Sequence, residues 1–383
     1  MTLSDDFEKI NPKNDPTDRP LSDDLNSDGV EVPEVDQGFR VRSDATALIR
    51  ARRERDRARH DAARLETELD ELRRVVGIIE SVDEVVLEPP SWLAPKNTRS
   101  SKRATLVAML SDTHFDEVVR PSEVGGLNAY NRTIAELRLK TWCENVIKMA
   151  RHYLSGVTYD GVVVMLGGDI FSGDIHEELK ETNDDTILGS LLHWSEQLAA
   201  ALTVLAGEFG KVHVAAVPGN HGRLTRKPRA KLRARTNLDW LLAKMLERHF
   251  AADKRVTFQV EDGADTLITI YEWGHLLTHG DQAHGGGGIG GIWPTIMRLR
   301  AKKAQRAMAV DQPFDTLWMG HWHQLIATPG LVVNGSLKGT DEYAFIGNFG
   351  HEPPQQALAI VTPEHNITWQ CPVFVTDRRK EKW

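Results

Sequence analysis

Only two cysteines, Cys143 and Cys371, occur in 383 residues. That scarcity excludes a disulfide framework and points to a reducing compartment. Long apolar runs are missing too: no stretch approaches the ~20 residues of a membrane span, so no membrane partner is expected. The first residues are acidic and polar rather than basic then apolar, which argues against a secretory signal and for a cytoplasmic protein. No internal repeat is evident. Positive net charge is absent, the balance being -8, but the deficit is local. Residues 1–40 hold eleven Asp and Glu against four Lys and Arg, which leaves the remaining chain near -1. Rich in Asp, Asn, Pro and Ser, residues 1–42 are expected to form a disordered acidic tail.

What the chain does have is 40% apolar content, enough for a sizeable core, and five short polar clusters. In order they are Asp112-Thr-His114, Gly168-Asp169, Gly219-Asn220-His221, His279-Gly280 and Gly320-His321-Trp-His323. LVAML precedes the first, VVVML the second, VHVAAV the third and TLWM the last, all runs that read as buried strands. Carboxylate, imidazole and amide groups delivered at strand ends converge on one edge of a sheet, where a rigid scaffold can hold metal ligands. A lone Asp-x-His or Gly-Asp occurs often by chance, and any one of these histidines alone reads as an ordinary core or surface residue. Together, seven side chains besides His221 suffice for two divalent ions.

The set resembles the calcineurin-like metallophosphoesterase superfamily, with its pattern D-x-H, G-D, G-N-H, a lone His and G-H-x-H, over about residues 104–372. The resemblance implies a four-layer αββα sandwich in residues 104–383. It implies that Asp112, His114 and His323 hold a first metal, that Asn220, His279 and His321 hold a second, and that Asp169 bridges them. His221 is then left off the metals as general acid for the departing oxygen. Phosphodiester hydrolysis needs a hydroxide nucleophile, neutralised phosphoryl oxygens and a protonated leaving group. Two ions about 3.5–4 Å apart supply the first two together, bridging a water and clamping the phosphate. A mixed N/O set suits Mn, Fe, Zn or Co rather than Ca, with Mn the first expectation.

Departures narrow the branch. The serine/threonine phosphatases carry G-D-x-x-D-R-G, whereas Gly168-Asp169-Ile-Phe-Ser-Gly-Asp174 lacks the arginine, and Gly222-Arg223 stands where they place an acid after G-N-H. Gly335-Ser-Leu-Lys-Gly-Thr-Asp-Glu-Tyr343 and Asp174-Ile-His-Glu-Glu-Leu179 look like bacteriophage-encoded phosphoesterases loosely grouped with SbcD-like nucleases. For a phage protein the compartment would be the host cell cytoplasm. The capping region that positions DNA in SbcD-like enzymes is not recognisable.

Two basic stretches adjoin these motifs: seven Lys and Arg with no acid from Arg223 to Arg235, and five with no acid from Arg298 to Arg306. Charge of one sign beside a phosphate-cleaving centre suits a polyanion. Arg223, Arg226, Lys227, Arg229 and Lys231 are therefore candidate substrate contacts, against the plainer reading of a solvated face; Asp174 and His176, in the loop after the second motif, are further candidates against the reading of solvated loop residues. The glycines of His284–Trp293 permit close backbone approach to phosphate or movement as a lid. Trp293 and Trp322 could stack a base or simply fill a wall. The expected activity is a metal-dependent phosphodiesterase acting on nucleic acid, a nuclease. The alternatives are a phosphodiesterase for small cyclic nucleotides and a coiled-coil scaffold with an inactive site.

Residues 43–80 carry Leu48, Ala51, Arg55, Ala58, Ala62, Leu65, Leu69, Leu72, Val76 and Ile79 at spacings of three and four, a heptad-like helix with Ser43-Asp44 able to cap its start. Pairing through residues 48–79 would make a homodimer; the other reading lays the helix on its own catalytic domain. Residues 81–103, rich in Pro, Ser and Lys/Arg, read as a linker. Beyond them, strands alternate with helical stretches at 132–154 and 185–207, and the chain turns strand-rich from about 256, which implies an α/β layered domain.

Overall fold

The structure, a computed structural model, describes residues 37–80, 90, 103–285 and 291–383. The acidic tail up to residue 36, nearly all of the 81–103 linker and residues 286–290 of the glycine-rich stretch lie outside them. The chain divides into two compact units, Met1–Glu84 and Val85–Trp383.

The first unit contains α1 (Gln37–Glu80). It starts six residues before the expected position, so Ser43 and Asp44 lie inside the helix instead of capping it. Along its seam Leu48, Leu65 and Leu69 are exposed.

The second unit begins with β1 (Arg103–Leu110), α2 (Arg132–Lys148) with a π-helical turn over Met149–Tyr153, β2 (Thr158–Leu166), short α3 (Glu177–Thr182), α4 (Ile187–Phe209), β3 (Val212–Ala216), α5 (Leu238–His249) and β4 (Val256–Val260). There follow β5 (Asp265–Ile270), β6 (Trp273–Thr278), α6 (Trp293–Met308), β7 (Thr316–Met319), β8 (Ile326–Thr328), β9 (Leu331–Val333), α7 (Glu342–Ile346), β10 (Gln355–Thr362), β11 (Asn366–Phe374) and α8 (Arg378–Glu381). Asn131 caps α2 by accepting from the Ile134 amide, and Thr186 does the same for α4 through Gly189. Gly210, at φ 77°, ends α4 in the left-handed conformation that glycine adopts without penalty.

One sheet has the order β11-β10-β1-β2-β3-β4, the other β5-β6-β7-β9-β8. In the first, β1 to β4 are parallel and β10 and β11 antiparallel. Parallel neighbours need crossovers, and α2, α4 and α5 supply them. The two-residue period of a strand then sorts side chains between layers. Val107, Met109, Val163, Met165 and Ala215 face Ile268, Leu277, Trp318 and Val332 of the second sheet. Leu110, Val164 and Leu166 turn the other way, towards Trp142 of α2, Leu198 of α4 and Leu246 of α5. Leu276, Leu317, Met319 and Leu331 lie against Ile296 and Leu299 of α6. The result is helix, sheet, sheet, helix, the four-layer αββα sandwich. Because β1, β2 and β3 are buried on both faces, they read as continuous apolar runs rather than alternating ones. Trp318, fully buried between the sheets with its Nε1 donating to His275 Nδ1 at 3.0 Å, is one anchor of this core. Its truncation to alanine would cost about 3–5 kcal/mol.

Candidate metal centre

All five polar clusters follow the C-terminal ends of parallel strands: β1, β2 and β3 in one sheet, β6 and β7 in the other. Beyond those ends the loops continue to pair. The Asp112 amide donates to Gly168 O (3.1 Å), that of His114 to Asp169 O (3.1 Å), and that of Gly320 to His279 O (2.8 Å). Loops this close leave no room for side chains between them: a Cβ at Gly219 would strike the Asp169 carboxylate, and one at Gly320 the Asp112 carboxylate. Asp112, His114, Asp169, His321 and His323 all sit at positive φ, between 43° and 72°. Such backbone is costly for residues with a Cβ and persists where surrounding structure over-determines it, as at ligand clamps.

Three groups of ligand atoms result, each within 4.8 Å: Asp112, His114 and His323; Asp169, His279 and His321; and His114, Asp169 and His221. The first contains the residues expected for the first metal; the second contains His279 and His321 of the expected second set, with Asp169 in place of Asn220. Asn220 joins the latter through Oδ1, 3.1 Å from His279 Nε2, while Asp169 Oδ2 lies 3.0 Å from the same nitrogen. Asp169 belongs to the second and third groups but not to the first; the third sets it beside His114 of the first. His221 is not set apart from the ligands: it shares the third group with His114 and Asp169.

The donor chemistry fits divalent ions. His279 Nδ1 donates to Gly167 O (2.8 Å) and His221 Nδ1 to Ser172 O (2.8 Å), so both rings present Nε2 inward. His114 and His323 bring their Nε2 atoms within 3.2 Å of each other. Burial, reinforced by the nearby Lys338 charge, lowers the His114 pKa to about 4; burial and the His279 charge lower that of His321 to about 4. Both are neutral at pH 7, the form that ligates. Burial also acts to lower His279, but the Asp169 carboxylate outweighs it and raises the pKa to about 10. A divalent ion would replace that proton as the partner of Asp169. Burial works to raise Asp112 and Asp169, but facing histidines, His323 for the one and His279 for the other, hold both carboxyls below the usual range.

Around the ligands lies a layer of supports that sequence reasoning missed. Asp239, next to the N-terminus of α5, accepts from the amides of Asp169 (3.0 Å), Ile170 (3.2 Å) and Gly219 (2.9 Å), clamping the loops after β2 and β3 together. Glu117 Oε2 lies 3.4 Å from His114 Nδ1, and Glu117 Oε1 takes the Lys338 ammonium at 2.8 Å. Asn334 donates to Ser111 Oγ (2.8 Å), which in turn donates to Asp112 Oδ2 (2.5 Å). Glu117, three residues after His114, and Lys338, within the Gly335–Tyr343 text, were the only hints in the sequence; Asp239 gave none.

The candidate substrate contacts divide. Arg223 is turned inward, donating to Asn220 O (2.6 Å) and Thr225 O (3.2 Å). Arg233 pairs with Asp281 (2.9 Å), and Arg235 with Asp262 (2.7 Å) across the face of Trp240. Arg226, Lys227, Arg229 and Lys231 are exposed and have no carboxylate partner among the described residues. A small cleft beside Asn220 is lined by Gly219, Arg223, Arg229 and Arg233. Exposed His176 has its ring centroid 6.3 Å from that of His221. The second basic stretch is largely occupied by the fold. Buried Lys303 bonds Asp265 and Gln282, both at 2.6 Å; Arg300 reaches Gly330 O (3.1 Å); Arg306 lies 3.7 Å from Asp265. Trp322 packs against the core under α6, whereas Trp293 is half exposed.

The sequence matches no family model and no curated protein. Among solved structures it is similar to Vacuolar Protein Sorting 29 of Cryptosporidium parvum, at 14% identity over 71% of this chain and 99% of that one, TM-score 0.28. The zinc complex of the same protein from Entamoeba histolytica gives 13% over 70% and 99%, TM-score 0.29. A predicted phosphoesterase of Streptococcus pneumoniae gives 11% over 70% and 98%, TM-score 0.27. Among the described residues no helix is long and apolar enough to cross a membrane.

Proposed function

We propose that this chain is a dinuclear metal-dependent phosphodiesterase acting on nucleic acid. The reading rests on one observation: three overlapping groups of buried and half-buried imidazole and carboxylate donors meet at the strand ends of both sheets, beside exposed cations without acidic partners among the described residues. Asp112, His114 and His323 would hold one ion, and Asn220, His279 and His321 the other, with Asp169 between them. Bound divalent ions would supply a nucleophile at neutral pH and neutralise phosphoryl oxygens.

The chain's own part follows from its geometry. Asp239 and Glu117 hold the ligand loops in place before substrate arrives. His221, fixed through Nδ1 to Ser172 O, aims Nε2 at the site and is the group to protonate the leaving oxygen. Burial lowers its pKa in the free protein, so it would take up its proton as the phosphate anion binds. Arg226, Lys227, Arg229 and Lys231 would follow the phosphate backbone beyond the scissile bond. A panel of single-stranded DNA, duplex DNA, RNA and cyclic mononucleotides, assayed with Mn, tests the proposal. Cleavage of polynucleotide is expected. Hydrolysis of cyclic nucleotides alone would transfer the activity to small substrates, and cleavage of nothing would refute it.

A further inference from the structure

The segment after Lys338 keeps four large apolar side chains in solvent: Tyr343 is 77% exposed, Phe345 42%, Ile346 78% and Phe349 55%. Single exposed apolar residues need no explanation, but four so close together mark a surface that meets something. The segment is also pinned. Asp341 caps α7 by accepting from the Ala344 amide (2.7 Å), Thr340 and His351 bond across its base (2.9 Å), and the Tyr343 and Phe349 rings meet edge to face at 5.6 Å.

Both anchors lead to the first ligand group. Asp341 shares the Lys338 ammonium with Glu117, which lies 3.4 Å from His114 Nδ1. Glu352 accepts from the amide of Leu325 at 2.8 Å, two residues past His323. The apolar segment therefore borders the His114 and His323 side, while the cations without an acidic partner among the described residues follow the Asn220 and His221 side.

We infer that Tyr343 and Phe349 form a stacking rim for nucleobases, and that the substrate is a single-stranded nucleic acid; this rests on the phosphodiesterase reading above. A duplex presents its phosphates outward and keeps its base faces stacked inside, so it has chemistry for the cationic flank only. A single strand offers both charges for the cations and free π faces for the aromatic side chains. Fixing the rings to the loop that supports His114 sets where a stacked base sits relative to the metal ligands.

The test uses the full chain with Tyr343→Ala and Phe349→Ala combined, and a second variant, Tyr343→Trp, that keeps an aromatic face. Binding of a labelled oligothymidylate is read by anisotropy with metals chelated, so that it does not depend on cleavage. Hydrolysis of bis-para-nitrophenyl phosphate is read with Mn, and mass in solution is measured alongside. The double variant should bind the single strand roughly tenfold or more weakly. Duplex binding, small-diester hydrolysis and mass should be unchanged, and Tyr343→Trp should bind as the parent does. Unaltered single-strand affinity, equal losses on duplex, or a lower mass indicating that the rim covers a second copy would each overturn the inference. Failure of the parent to hydrolyse the diester or any nucleic acid would instead sink the phosphodiesterase reading, and the binding arm still judges the rim.

Discussion

The ligand edge and the basic flank that follows it hold their polar groups in opposite ways. At the edge Asp112, His114, Asp169 and His279 are almost wholly buried, five candidate ligands are in left-handed backbone, and each loop is tied to the next. On the flank Arg226, Lys227, Arg229 and Lys231 stand in solvent without acidic partners among the described residues. The second basic stretch is the control between them: similar in composition to the flank, yet with Lys303 buried against Asp265. Charge composition therefore marks a candidate surface, and burial and pairing decide whether the charge is available. Changes at the edge should act through the metals and be severe; changes on the flank should be graded and confined to long substrates.

The severest expected effect is that of Asp169→Asn. If this carboxylate is shared by two ions, removing it should leave activity at background and lower the metal content from the two ions per chain expected of the parent, measured by elemental analysis. Retention of both ions with full turnover would break the picture of a shared ligand. His221→Ala should lower turnover roughly 10²- to 10⁴-fold while both ions stay. The loss should shrink on a nitrophenyl ester, whose leaving group needs no proton. Loss of an ion would make His221 a ligand, as its place beside His114 and Asp169 also permits.

Lys303→Met sharpens the contrast between the two basic stretches. It removes a buried ammonium from partly exposed Asp265 and from Gln282, so chemical denaturation should show a loss of about 1–3 kcal/mol, with polynucleotide affinity untouched. A drop in affinity at unchanged stability would return this stretch to the substrate surface.

Two buried histidines away from the candidate ligands contribute to the pH dependence of the scaffold. Burial lowers His213 to about 4 and His275 to about 3. Because their folded pKa values lie below the unfolded value of about 6.5, the unfolded chain binds protons first. Their contribution is complete above that value and is lost as pH falls towards the two folded values, each histidine costing up to about 1.4 kcal/mol for every pH step of one. The thermal midpoint should therefore fall between about pH 6.5 and pH 4, less steeply in His275→Gln. An unchanged slope in that variant would remove His275 from the account.

The mildest change is Arg226, Lys227, Arg229 and Lys231 together to Gln. Each lost phosphate contact should flatten the log–log salt dependence of single-strand binding by about 0.7. Hydrolysis of a small diester should persist, since that substrate needs only the ligand edge. Full activity of this variant on DNA and RNA would detach the flank from the substrate.

Much of this was legible in the chain. Apolar runs leading to Asp112, Asp169, Asn220 and His321 located the strands, because a strand buried on both faces must be continuously apolar and polar side chains can emerge only where it ends. Helical spacing located α2 and α4 to within a few residues. The start of α1 was misjudged because capping residues at Ser43 and Asp44 signal a helix start only when the turn before them is not helical.

The sequence by itself determined which donors exist, their order and the layers that carry them, since these depend on residue type and local period. The tertiary structure alone decided their supports and freedoms. Asp239 clamps Asp169 from 70 positions away, and Lys338 steadies Glu117 from 221. It also decided that Lys303 is buried while Lys231 stands in solvent. A carboxylate, an ammonium or an aromatic ring is written identically in the chain whether paired or free. Its burial and its partner come from residues far along the chain, and those come together only when the two sheets close.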